Sequence, residues 1–214
     1  MRNSLVRGIT ATAAGGLLVA GAAALALNAA VAETARPRGL VAELKNTAGA
    51  TVGTVRFLPS EDGKTLMRVA AGGLTPGFHG YHVHSAGVCD PAARDTAGNT
   101  VPFFSAAGHF NPVTTNTHGA HAGDLPPLLV AEDGTAFLKF ATDRFRNRDL
   151  LDADGSAVII HAAPDNLANV PGQTSTGGER YHSHMDNVLG SDTATKATGD
   201  AGARFACGVV TRTQ

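Results

Sequence analysis

From Leu40 to His84 the chain is a run of short alternating stretches cut by turn signals, and that pattern leaves little choice of fold class. Leu40, Ala42 and Leu44 alternate with more polar neighbours, and Asn46-Thr-Ala-Gly49 follows as a hairpin turn. Val52 to Leu58 reads as a second strand. Glu61-Asp-Gly-Lys64 is a turn with the Asp-Gly signal, and Thr65 to Ala71 is a third strand. Gly72 to Gly77 then loops into the stretch carrying His82 and His84. Helical periodicity is scarce. Short strands at this spacing predict an all-β domain, a Greek-key β-barrel or sandwich of immunoglobulin-like topology.

Two segments interrupt the rhythm. Residues 85–127 are rich in Gly, Pro, Ala, Thr and Asn, and a second polar loop is expected from Ala162 to Gly202. Loops this long inside a compact domain are usually functional. Between them, Leu128 to Ala131, the Glu132-Asp-Gly134 turn and Ala136 to Ala141 restore a hairpin. Ala157-Val-Ile-Ile-His161 reads as a buried strand, and the chain closes on a strand through Arg204 to Val210. No internal repeat or second domain is visible.

The histidines give the loops a purpose. In a strand, His82 and His84 leave the same face, so two imidazoles point one way from a rigid support. Alone, such a pair is common on solvated strands. The first loop, however, ends in His118-x-x-His121-x-x-Asp124, two imidazoles and a carboxylate that a further imidazole as fourth ligand would complete as a zinc set. His82, His84 and His161 form an all-nitrogen group of the kind copper favours, and His109 lies where it could serve either. His79 is expected on the opposite strand face, bonded to nearby backbone. His182 and His184, with Met185, read as solvated loop residues that could capture copper. Gly199-Asp-Ala-Gly202 lacks the lysine and helix of a phosphate-cradling loop.

The first 32 residues read as a signal peptide: Arg2 and Arg7, an apolar run from Ile9 to Leu27, then the small-residue end Ala30-Val31-Ala32. An uncleaved anchor is the alternative. The remaining residues, 33–214, make one domain. Setting Arg2 and Arg7 aside changes the balance from 17 basic and 18 acidic residues to 15 and 18. Nothing there suggests nucleic acid. Cys89 and Cys207 are the only cysteines, and in an exported protein two cysteines most simply form one disulfide; two free thiols are the alternative.

The motifs Gly80-Tyr-His-Val-His84, Gly108-His-Phe-Asn-Pro112, His121-Ala-Gly-Asp124, Ile160-His161 and Gly199 to Gly208 together resemble the copper/zinc superoxide dismutases. They occur in that family's order over about residues 38 to 212. The resemblance implies a Greek-key barrel with long metal-binding and electrostatic loops. It makes His82, His84, His109 and His161 copper ligands, and His109, His118, His121 and Asp124 zinc ligands. Asp165 would link a copper ligand to a zinc ligand, Cys89 and Cys207 would match the family's disulfide, and Arg204 and Thr198 would stand beside the copper. The implied reaction turns superoxide into oxygen and hydrogen peroxide at a cycling copper. His109 would bridge the metals and return a proton to the peroxide, and Arg204 would guide the anion. The spacing of His118 and His121 is shorter than in most relatives, which leaves a copper-only enzyme open. An exported copper carrier or buffer on the same barrel is the rival from another class. The setting implied is periplasmic, cell-wall-associated or extracellular, with no membrane insertion after cleavage, and monomer and homodimer are both open.

Overall fold

The computed structural model describes residues 39–183 and 187–213. The proposed signal peptide and the residues His184 and Met185 lie outside the described residues. Among the described residues, nine strands form one antiparallel sheet: β1 Leu40–Asn46, β2 Thr51–Pro59, β3 Thr65–Ala71, β4 Gly77–His79, β5 Tyr81–His84, β6 Leu128–Val130, β7 Ala136–Thr142, β8 Ala157–His161 and β9 Arg204–Arg212. Their order in the sheet is β4-β6-β7-β3-β2-β1-β9-β8-β5. Only Gly80 separates β4 from β5, so the two ends of the sheet are halves of one chain segment and the barrel closes.

The first three strands form a meander because each turn carries a glycine in the left-handed region. Gly49, Gly63 and Gly134 all sit at φ 79° in the hairpin turns. After β3 the chain crosses to β4, and β3 pairs instead with β7, Met67 opposite Phe140 and Val69 opposite Leu138. This crossover is the Greek-key step.

Alternation then sorts the side chains. Leu40, Ala42, Leu44, Val55, Phe57, Met67 and Val69 point into the barrel and are buried there. Complete burial of a side chain such as Phe57 contributes roughly 1.5–3 kcal/mol. On β5, Tyr81 and Val83 take the inward positions. His82 and His84 therefore point out of the barrel wall, yet the loops leave each only 1% exposed.

The second long loop is not irregular throughout, as the sequence suggested. It contains a short helix, α1 Thr193–Thr198, started by Asp192, whose carboxylate accepts the N–H of Thr195 at 2.6 Å. Gly199 ends it at φ 76°. Tyr181 Oη donates to Asp200 at 2.8 Å and ties the outer part of the loop to the segment after this helix.

Candidate metal centre

Strands β5 and β8 supply three of the imidazoles. They pair with His82 opposite Ile159 and Tyr81 opposite Ile160. Against β9 the register of β8 shifts between Ile160 and His161, and this bulge places Arg204 opposite His161. Bulges commonly re-aim side chains beside active sites.

His109 arrives from the loop. Phe110 N–H donates to Val83 O at 2.8 Å, Val83 N–H to Gly123 O at 3.0 Å and Gly123 N–H to Phe110 O at 2.8 Å, so two loop segments lie across β5. Gly123 is required for that approach, because a Cβ there would stand 2.2 Å from the Val83 carbonyl. The His109 ring stacks on His82 with centroids 4.0 Å apart.

His82, His84, His118 and His161 are each anchored through one nitrogen, which leaves the other for a cation. His84 Nδ1 donates to Ala107 O at 2.9 Å and His161 Nδ1 to Gly202 O at 3.1 Å. His82 Nε2 donates to Asp165 Oδ2 at 2.6 Å and His118 Nε2 to Asp165 Oδ1 at 2.9 Å. A carbonyl or carboxylate oxygen only accepts, so each anchored nitrogen carries a proton, and in the neutral ring its partner carries the lone pair. Those partners, His82 Nδ1, His84 Nε2, His161 Nε2 and His118 Nδ1, are buried without a hydrogen bond. Such atoms are costly unless a shared cation satisfies them. The donor atoms of His82, His84, His109 and His161 lie within 4.8 Å of one another.

The second set has its own geometry. Asp124 Oδ2 accepts the N–H groups of Gly119 at 2.6 Å and His121 at 2.9 Å. Its Oδ1 faces the Nδ1 atoms of His109 at 2.8 Å, His118 at 3.3 Å and His121 at 3.3 Å. Zinc arms of ~2.0–2.1 Å give tetrahedral edges of about 3.3 Å, so these four donors fit that ion despite the short His118–His121 spacing.

The charges follow the same plan. Burial drives His84 and His161 well below the usual imidazole range, with the other rings and Arg204 adding to the push. Burial likewise lowers His109 to about 4, against the pull of Asp124. Burial works against His118 too, but the Asp124 and Asp165 carboxylates beside it hold it at about 9. Burial works against the two carboxylates as well, yet the histidine contacts hold both well below the usual range. His84, His109 and His161 are therefore neutral at pH 7 beside ionised carboxylates, as a divalent cation requires, whereas His118 is protonated in the metal-free protein and would release its Nδ1 proton when a cation binds.

Arg204 stands beside the first set. Its guanidinium donates to Phe103 O at 2.5 Å and Ala107 O at 2.6 Å and lies 5.7 Å from the centre of the Phe104 ring. Burial lowers it to about 10, so it stays charged at neutral pH. It lines a cavity of about 210 Å³ with His84, His109, His161 and Thr198. The Cys89–Cys207 disulfide joins the first loop to β9, packed among Phe103, Ala106 and Ile159.

His79 stays outside both sets, with its ring nitrogens facing His161 O at 2.6 Å and Thr75 O at 2.8 Å. His182 is exposed and pairs with Leu189 through the backbone. Sequence reasoning missed the carbonyls of Ala107 and Gly202, which no side-chain motif reveals. It also missed Arg144, which grips the His118–His121 loop. The helix had left a readable signal in Asp192 and Gly199.

Residues 51–210 match the family model described as copper/zinc superoxide dismutase (SODC). The chain is 40% identical over 185 residues to a superoxide dismutase [Cu-Zn] of Mycolicibacterium paratuberculosis, covering 85% of this chain and 78% of the relative. It is 44% identical over 147 residues to one of Mycobacterium bovis, a match that covers 68% of this chain and 58% of the relative's length. Among solved structures, the Cu/Zn superoxide dismutase from Brucella abortus aligns with a TM-score of 0.59 at 29% identity, over 80% of this chain and 98% of that one.

Proposed function

The chain belongs to the copper/zinc superoxide dismutase family, and from that premise we propose that it converts two superoxide ions and two protons into dioxygen and hydrogen peroxide. His82, His84, His109 and His161 would hold copper, and His109, His118, His121 and Asp124 would hold zinc. The observation that carries the reading is the membership of His109 in both donor sets, beside a charged arginine in a small cavity. Copper, when bound, supplies the one-electron couple that zinc lacks.

The protein's own groups do the rest. Asp165 fixes the rings of His82 and His118 through their Nε2 atoms, so their Nδ1 lone pairs keep their direction. His109 Nδ1 is committed to the Asp124 side, which leaves Nε2 as the atom that takes up a proton and hands it to the reduced substrate. Arg204 attracts the anion and orients it. A positive group at the base of a narrow cavity raises the association rate and makes that rate fall with salt.

The test is the dismutation rate of the full metal-loaded protein at low and high ionic strength. A rate near the diffusional ceiling of ~10⁸–10⁹ M⁻¹ s⁻¹ that falls with salt supports the assignment. A rate no better than free copper, with the metal still held, would make the barrel a copper carrier.

Residues 1–32 are proposed to direct export, on the strength of the basic start, apolar run and Ala-Val-Ala end. The described residues contain no helix long and apolar enough to cross a membrane. The mass of the protein recovered outside the cytoplasm tests this, because cleavage after Ala32 removes a defined increment.

A further inference from the structure

Arg144 belongs to neither donor set, yet it holds the loop between two proposed zinc ligands. Its Nη1 donates to the His121 carbonyl at 2.8 Å and its Nη2 to the Gly119 carbonyl at 3.1 Å. The N–H groups of the same two residues point the other way, onto Asp124 Oδ2. Residues 119–121 are therefore stitched from both sides, their N–H groups to a ligand and their carbonyls to a guanidinium.

The arginine is well planted. Its own N–H donates to Thr142 Oγ1 at 3.2 Å at the end of β7. The next residue, Phe145, is 3% exposed, its ring 6.4 Å from those of Phe57 and Phe110. The backbone on either side of Arg144 is thus fixed by the barrel, while the loop it grips is a short turn. A cavity of about 400 Å³ lies over this side of the centre, lined by His118, Asp124, Asp165, Leu167 and Arg144. Solvent can reach the loop there, and a planar fork with two parallel donors suits two neighbouring carbonyls in a way an ammonium does not.

We infer that Arg144 is the positioning residue of the zinc lobe: it fixes the angle between His118 and His121 from outside the ligand set and so sets how long zinc is retained. The inference rests on the zinc assignment of that set. Partners that orient metal ligands typically change metal affinity by about 10–100-fold when removed.

The experiment is zinc and copper release from the full copper- and zinc-loaded protein, each followed with its own chromogenic chelator. It compares the wild type, Arg144→Ala and Arg144→Lys, with thermal midpoints of the metal-free proteins alongside. Zinc should leave Arg144→Ala about 10–100-fold faster, Arg144→Lys should fall between, and copper release and the metal-free midpoint should match wild type. Zinc release at the wild-type rate or slower overturns the inference; slower release would mean that the guanidinium acts by repelling the metal. Equal acceleration of both metals with a lowered metal-free midpoint also overturns it, leaving Arg144 a general structural role. A wild-type protein that takes up no zinc would overturn the zinc assignment itself, and the inference with it.

Discussion

His84 and Arg204 are fastened to one oxygen: the Ala107 carbonyl accepts from His84 Nδ1 at 2.9 Å and from Arg204 Nη2 at 2.6 Å. A single peptide plane therefore fixes both a proposed copper ligand and the cation beside it. Ala107 reaches that orientation at φ 61°, ψ −152°, a region essentially reserved for glycine and costing about 1–3 kcal/mol elsewhere.

Ala107→Gly should release this strain while keeping the carbonyl in place. Glycine's greater unfolded-state freedom offsets roughly 0.4–1 kcal/mol of the gain, so a net stabilisation of about 1 kcal/mol is expected. Urea unfolding measures it, and an unchanged or lower midpoint would count against the strain.

Asp165→Asn should weaken metal binding at both sets. The carboxylate accepts from His82 and His118 at once, whereas an amide has one acceptor and must turn its NH₂ toward the other N–H. A loss of about 10–100-fold in affinity, read by chelator competition, is expected for each metal. A loss confined to one metal would mean that Asp165 orients only one ring.

Arg204→Ala should slow turnover by tenfold or more, roughly the lower end of electrostatic steering, and flatten its dependence on ionic strength while copper stays bound. Stopped-flow decay of superoxide at several salt concentrations tests this. A salt slope equal to wild type would remove Arg204 from the steering role.

The metal-free barrel should lose stability as pH falls from about 6.5 to 4. His109 sits at about 4 when folded, below its unfolded value, so in this window the unfolded chain binds the extra proton. The cost from this ring is on the order of 3 kcal/mol, and the lowered His84 and His161 act with the same sign. Asp124 and Asp165, held low, give up their contribution only below about pH 4. His118, held at about 9, contributes stability present below 6.5 and lost as pH rises through 9. Urea midpoints at pH 8, 6.5, 5.5 and 4.5 should peak near neutrality. A midpoint that holds steady down to 4.5 would contradict the burial of these rings.

The parts of the fold that could be read in advance were local. The alternation of Leu40, Ala42 and Leu44 and the turn glycines depend on nearest neighbours, and the strands appear within a residue or so of their expected bounds. The pairing of β3 with β7 is a long-range choice that no local pattern encodes. The same division runs through the site. Histidines and the two cysteines announce themselves by residue type, whereas the Ala107 and Gly202 carbonyls act through backbone direction alone. Arg144 is one arginine among several and acquires its role only when the barrel sets it beside Gly119 and His121.

Gly80 has a further consequence. The segment it divides bonds on one side through Phe78 to Leu129 and on the other through His82 to Ile159, both far away along the chain. Closing two such long loops costs chain entropy, so this seam is expected to form after most of the sheet. The strand that seals the barrel is also the one bearing His82 and His84. Half of the proposed copper donors are therefore expected in position only late in folding, so copper uptake would report finished molecules and pass over partly folded ones.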